Sequence, residues 1–355
     1  MIQNQCVKTA SIVSIKINQL DLFSGIGGFH LGFERAGYEV TSYFSEIDKH
    51  AVAVYQHKFK DATYVGSVTD VRGADLPNID LITFGSPCQD FSLAGKRKGM
   101  DGERSSLILE AIRLITECQP RAFVWENVKG TFSSNDGEDF AAILQAFSNI
   151  GGYRLEWQLL NTSWFLPQNR ERIYLVGYST TPTGDWGGVF PISEEPRADN
   201  GIPRQQGNTC TLTTRYGADG NGSYITKRKQ YAQEIEPLKI KVANKKGYQE
   251  AEDGDAIRLY QPNSETQRGR VGKGVAHTLE TTGQQGVVNQ YRIRRLTPIE
   301  CERLQGFPDN HTEYGIYDGE VKKMSNTQRY KQCGNAVTVD VVKAVAEQLI
   351  PIYNA

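Results

Sequence analysis

Apolar and polar positions along the chain mark out strands and helices in alternation. Residues 12 to 23 read as a strand ending at Asp21-Leu22-Phe23. Ser24-Gly25-Ile26-Gly27-Gly28 then leads into an amphipathic helix with Phe29, Leu31, Phe33 and Ala36 on or near one side. A second strand runs from Glu39 to Ser45, followed by a helix from Asp48 to His57. The short apolar run Asp80-Leu81-Ile82-Thr83-Phe84, bounded by Pro77 and Gly85, reads as a buried strand. Helix 105–118 presents Leu107, Ile108, Ala111, Ile112 and Ile115 to that sheet, and Ala122-Phe123-Val124-Trp125 makes the next strand. Residues 153–160 and 172–177 give two more.

From about 179 to 292 the regular periodicity fades, and Gly, Thr, Gln, Lys and Arg become more frequent. An approximate repeat lies here: Cys210-Thr211-Leu212-Thr213-Thr214 with Gly217 and Gly220, then His277-Thr278-Leu279-Glu280-Thr281-Thr282 with Gly283 and Gly286. Regular structure returns where Thr297, Pro298 and Glu300 spell a capping box with proline at the first helical position. The last helix carries the stripe Val337, Val341, Val342, Val345, Ala346 and Leu349, with Asn335 read as its cap. So apolar a face needs a partner in the first lobe, so the chain is expected to leave that lobe and come back.

Composition narrows the class. At 355 residues the chain can bury a sizeable core and form two lobes. No apolar run reaches membrane-spanning length, and the polar start Met1-Ile2-Gln3-Asn4-Gln5 is unlike a signal peptide. The six cysteines include no C-x-x-C pair, and the five histidines form no ligand-spaced cluster. A reducing cytoplasm is therefore the expected compartment, with no disulfide framework and no metal. The net charge of −1 conceals an asymmetry: residues 204–331 hold 21 Lys+Arg against 15 Asp+Glu, a balance of +6, and the remainder has −7. A basic lobe suits a polyanion on one side, although scattered surface lysines produce the same sum.

Several places carry candidate chemistry. A strand, a glycine turn and a helix form the unit whose bare amides hold a cofactor's polar groups, and Gly25 and Gly27 permit close approach. Glu46 follows at roughly 20 residues, the distance at which such folds place an acid on ribose hydroxyls; it also fits a helix cap. Cys88, in Gly85-Ser86-Pro87-Cys88-Gln89-Asp90-Phe91-Ser92, stands on a loop stiffened by proline, where an α/β enzyme displays a nucleophile or simply places a small turn residue. Glu126-Asn127-Val128 ends the neighbouring strand, and Arg170 and Arg172 alternate into a later one on one face. The polar loop Ala94 to Arg104 fits closure over a phosphate backbone or plain solvation.

Taken together these stretches resemble the DNA cytosine-5 methyltransferase family of bacteria and phages. The resemblance rests on Asp21-Leu22-Phe23-Ser24-Gly25-Ile26-Gly27-Gly28, Gly85-Ser86-Pro87-Cys88-Gln89, Glu126-Asn127-Val128 and Gln168-Asn169-Arg170-Glu171-Arg172. Arg295-Leu296-Thr297 with Glu300 and Arg303, Gln305-Gly306-Phe307-Pro308-Asp309 and Gln332-Cys333-Gly334-Asn335-Ala336-Val337 follow in the family's order. It spans roughly 15–178 and 292–350.

The resemblance implies an α/β, Rossmann-like S-adenosylmethionine-dependent methyltransferase fold with a smaller, irregular, mostly β target recognition domain. Residues 1–178 would form the first part of the catalytic and cofactor-binding domain, 179–292 the recognition domain, and 293–355 the return segment. S-adenosylmethionine would lie on Phe23, Gly25, Gly27, Glu46 and Asn335, with Glu46 on the ribose. Ile47 and Ser67 occupy the family's two adenine positions, where an aromatic residue and an aspartate are common. Cys88 would add to carbon 6 of cytosine, Glu126 protonate N3, Arg172 hold O2 and Arg170 support the loop or the backbone. The base must be flipped out of the duplex. Double-stranded DNA is the implied partner, with a separately encoded cognate restriction endonuclease as a further one; the enzyme is read as a monomer. A tRNA cytosine-5 methyltransferase, a non-catalytic DNA-binding relative and a nicotinamide dehydrogenase are the rival readings.

Overall fold

A computed structural model describes residues 14–85, 107–179, 187–193, 237–260, 266–289 and 292–354. In chain order the first lobe contains β1 (Ile15–Leu22), α1 (Gly28–Arg35), β2 (Tyr38–Ser45), α2 (Lys49–Lys58), β3 (Thr63–Tyr64) and β4 (Leu81–Gly85). It continues with α3 (Leu107–Cys118), β5 (Ala122–Val128), α4 (Glu138–Ser148), β6 (Tyr153–Asn161) and β7 (Glu171–Ser179). These strands form one sheet in the order β3-β2-β1-β4-β5-β7-β6. Neighbours from β3 to β5 are parallel, and β7 runs antiparallel to both β5 and β6. Strand order reverses between β1 and β4, and at such a switch point the carboxyl ends of an open α/β sheet leave a crevice. The fold is α/β and Rossmann-like, with smaller antiparallel sheets attached.

Burial on both faces explains the unbroken apolar runs in β4 and β5. On one face Ile17, Val124 and Val176 meet Phe29 and Phe33 of α1; on the other Leu20, Ile82 and Phe123 meet Leu114 of α3 and Phe147 of α4.

The remaining elements are β8 (Leu238–Lys241), β9 (Tyr248–Ala251), β10 (Ala256–Arg258), β11 (Val271–Gly272), β12 (Gln285–Asn289) and β13 (Arg292–Arg295). After them come α5 (Pro298–Leu304), β14 (Tyr314–Tyr317), β15 (Glu320–Lys323), α6 (Asn326–Asn335) and α7 (Val339–Asn354). The small strands form a four-stranded sheet, β11-β10-β12-β13, and the pairs β8-β9 and β14-β15. Of the Thr- and Gly-rich repeat, the unit at Cys210 lies outside the described residues. The unit at His277 is tied to the segment that leads into β7: Leu279 N donates to Gln168 Oε1 at 3.1 Å and Thr278 Oγ1 to the Asn169 carbonyl at 2.7 Å.

The chain does return to the first lobe. Val341, Val342, Val345 and Leu349 of α7 complete the core beneath α1. The two helices touch at Gly32, where an added Cβ would stand 2.4 Å from Val342 Cγ1. The capping box at Thr297 forms as its spelling predicts. The reading of Asn335 as the cap of the last helix is corrected: Asn335 is the final residue of α6, extended Ala336 follows, and α7 starts at Val339. Helix α6, Asn-Thr-Gln-Arg-Tyr-Lys-Gln-Cys-Gly-Asn, escapes periodicity because its buried residues include Arg329 and Gln332. Arg329 earns its place by pairing with fully buried Glu302 at 2.9 Å.

Candidate active site

After β1 the backbone turns through three positive φ angles, Phe23 at 52°, Gly25 at 54° and Gly27 at 83°. Nothing lies within 4 Å of a Cβ built on Gly25, so its backbone is open to an approaching group. Gly27 is required for a different reason: a Cβ there would strike the Phe59 ring at 2.3 Å. From behind, buried His311 holds this turn, its Nε2–H donating to the Ile26 carbonyl at 2.8 Å. Burial pushes the His311 imidazole down to about 3, which leaves it neutral, and the Ile26 carbonyl, able only to accept, fixes Nε2 as the protonated nitrogen.

Glu46, at the end of β2, stitches two loops together. Its Oε2 accepts from Gly25 N at 3.0 Å, and its Oε1 accepts from Ile47 N at 2.8 Å and Asp48 N at 2.9 Å. The cap of α2 is Asp48, which accepts from His50 N, so Glu46 does not serve as that cap. Ile47 is 81% exposed. Ser67 Oγ is 2.9 Å from Thr69 Oγ1. Beneath the turn Asp21 is wholly buried, and burial drives its carboxyl up to about 8 although Thr83 and Tyr55 donate to it.

Strand β5 extends beyond Trp125, so Glu126 and Asn127 are strand residues. Glu126 lies opposite Gly85 in the parallel register, and a Cβ on Gly85 would come within 3.3 Å of Glu126 Oε2. Glu126 is 8% exposed; Arg172 Nε approaches its Oε1 at 3.1 Å. That contact is an ion pair off the hydrogen-bonding direction, since Glu126 Oε1 has no hydrogen-bond partner among the described residues. Arg170, more deeply buried than Arg172, instead donates to the carbonyls of Gly334 at 3.2 Å and Ala336 at 2.9 Å. The two arginines thus face the same region with different tasks.

These groups surround a cavity of about 560 Å³. Phe23, Gly25, Glu46, Ile47 and Ser67 line it, as do Glu126, Arg170, Arg172 and Asn335, whereas Gly27 does not. Gly85 is on its wall, and Cys88 lies outside the described residues. Asp48, Lys331 and Gln332 also line it; residue-by-residue reading overlooked them, although Gln332 opens one of the quoted motifs. Gln332 is buried with neither amide atom hydrogen-bonded among the described residues. A volume of this size, open glycine backbone, a carboxylate at the β2 end and an unpartnered buried amide suit a nucleoside-type cofactor.

Sheet order, switch point and cavity define a Rossmann-like enzyme that works at the carboxyl ends of its strands. The family model for C-5 cytosine-specific DNA methylase matches residues 17–351, and the chain belongs to that family. It is a DNA (cytosine-5-)-methyltransferase, an enzyme that needs a methyl donor and acts on DNA. The type II methyltransferase M1.ScrFI of Lactococcus lactis subsp. cremoris is 32% identical over 341 residues, covering 95% of this chain and 79% of its own. The type II methyltransferase M.NlaX of Neisseria lactamica is 32% identical over 349 residues, covering 93% and 95% respectively. In fold, the chain is similar to the S. pombe Dnmt2 methyltransferase, with TM-score 0.58 and 18% identity over 94% of this chain and 99% of that one. Among the described residues no helix is long and apolar enough to cross a membrane.

Proposed function

We propose that this enzyme methylates carbon 5 of a flipped-out cytosine in a specific sequence of duplex DNA, using S-adenosylmethionine and a covalent adduct through Cys88. The observation that carries the reading is the convergence of Glu126 and Arg172 beside Gly85 on the cavity that also holds Gly25 and Glu46. Gly85 is the last described residue before the Cys88 loop.

Carbon 5 of cytosine is a weak nucleophile, and addition at carbon 6 activates it. The Cys88 thiolate forms a bond to carbon 6, and the displaced π electrons move through the ring to N3. Glu126, a carboxylate beside Arg172 in the free enzyme, has to take up a proton from solvent as the base binds; it donates that proton to N3, so that the adduct is a neutral enamine rather than an anion. Arg172 holds O2 of the base and keeps the Glu126 side chain in place. When bound, the cofactor supplies a methyl group on an electrophilic sulfonium. Gly25 and Glu46 would hold its amino acid and ribose portions, Ile47 and Ser67 its adenine end, and Phe23 and Asn335 complete the enclosure. After methylation a base removes the proton on carbon 5, the electrons return to form the carbon 5–carbon 6 double bond, and Cys88 departs as thiolate. Glu126 recovers its proton from N3. A duplex hides carbon 6 within the stack, so the reaction demands extrusion of the base.

The relatives' type II names support a role in restriction and modification, which would bring a separately encoded endonuclease as partner; residues 179–292 would be the segment that selects the DNA site. Duplex DNA containing 5-fluorocytosine is expected to trap a denaturation-resistant adduct with the wild type and none with Cys88→Ala. Methyl transfer by that variant at the wild-type rate would overturn the nucleophile assignment. Labelled methyl entering tRNA in preference to duplex DNA would overturn the substrate.

A further inference from the structure

The cavity wall at Glu46–Asp48 is fastened from the far end of the chain. Lys331 of α6 places its Nζ 2.7 Å from Asp48 Oδ2, and both residues line the cavity. In the first turn of α2, His50 Nδ1 lies 2.6 Å from the hydroxyl of Tyr317 on β14. Strand β14 presses on the same helix, a Cβ on Gly315 falling 2.8 Å from Ala53 Cβ. Burial would raise the Asp48 carboxyl, yet the Lys331 ammonium and the amides of the α2 first turn hold it below the usual carboxylate range. Glu46 meanwhile spends both oxygens on backbone amides within the wall, one of them the amide of Asp48 itself.

We propose that Lys331 is a positioning residue for the cofactor: by anchoring Asp48 it fixes the Glu46–Ile47 wall that meets the nucleoside. The wall needs such help at this site. Ile47 presents an exposed aliphatic side chain, with no ring to define the plane of a bound base. A loop held only by its own backbone would have to be ordered on binding, which costs affinity, whereas a wall tied on both sides is already in place. The Lys331–Asp48 pair also links cofactor affinity to docking of the return segment, because α6 and α2 meet there. This inference rests on the proposed cofactor reading.

The test is calorimetric titration of S-adenosylmethionine together with steady-state kinetics on the full chain. Lys331→Met and Asp48→Asn are each expected to raise Kd and KM for the cofactor, by at most about five-fold for a partly exposed pair. Asparagine keeps the cap of α2, so the Asp48→Asn effect isolates the charge. Turnover at saturating cofactor and KM for DNA are expected to stay within about two-fold of wild type, taking the coupling as a binding term alone. Lys331→Arg is expected to restore affinity, and the double variant to be no weaker than either single one. Rising salt is expected to weaken cofactor binding more in the wild type than in Lys331→Met. Wild-type affinity in Lys331→Met, or full additivity in the double variant, would overturn the inference. A wild-type protein that binds no S-adenosylmethionine would instead overturn the cofactor reading.

Discussion

Arg172 Nε stands 3.1 Å from Glu126 Oε1, although the two residues are not register partners. In the antiparallel pairing of β5 and β7, Glu126 faces Tyr174 and Arg172 faces Val128, so the contact is a diagonal across two strand ends. Diagonal neighbours in an antiparallel pair are within reach of a long side chain. The pair is rigid because both partners sit on a fully paired sheet, and it lies beside Gly85, where the chain leaves β4.

Removing the acidic proton without changing the shape tests that arrangement. Glu126→Gln is expected to lower kcat for methyl transfer by about 10²- to 10⁴-fold, the range for a lost general acid. Cofactor affinity should change little. Single-turnover transfer of labelled methyl, set beside calorimetric binding of the cofactor, measures both.

Arg170 has a structural duty that its neighbour lacks. Its guanidinium satisfies the carbonyls of Gly334 and Ala336, between α6 and α7, from a buried position. Arg170→Met is expected to cost about 3 kcal/mol or more in urea unfolding, because two carbonyls lose a charged donor. Arg170→Lys should recover only part of this, since an ammonium cannot reproduce the fork.

The contact between α1 and α7 leaves no room at Gly32. Gly32→Val would drive a side chain into Val342 and the Val339 carbonyl. Overpacking of this kind is expected to destabilise the fold by about 1–3 kcal/mol. Thermal unfolding should show it, and the double change with Val342→Ala should return part of the loss.

His311 gives stability a pH dependence. A free imidazole titrates near 6.5, and burial holds His311 down to about 3, so the unfolded chain takes up a proton that the folded chain refuses. Its contribution is fully present above about pH 6.5 and is lost as the pH falls from there toward 3. His311→Gln keeps a donor for the Ile26 carbonyl but cannot titrate. Unfolding free energies from urea titrations between pH 7 and 5 should therefore fall less steeply in His311→Gln than in the wild type, by up to about 1.4 kcal/mol per pH unit.

Local signals in the sequence were enough for the elements that announce themselves. The apolar run before Gly85 and the capping box at Thr297 each depend on neighbours a few residues away, and the glycine turn with Glu46 some 20 residues later is legible as a spacing. The stripe on α7 predicted the return of the chain for the same reason: its face had to be covered. Helix α6 was illegible because two of its three buried residues are Arg329, paired with Glu302, and Gln332, which leaves Cys333 alone, too little to mark a hydrophobic period. The insertion of β7 between β5 and β6 was illegible too, since strand order is settled by which edges meet, far apart in sequence. That order brings Arg172 to Glu126, and the return of α6 to the N-terminal end of α2 brings Lys331 to Asp48. The sequence by itself determined which groups the chain carries and in which order; only tertiary packing decided which of them share a cavity, because those contacts form between elements that cannot bury their faces alone.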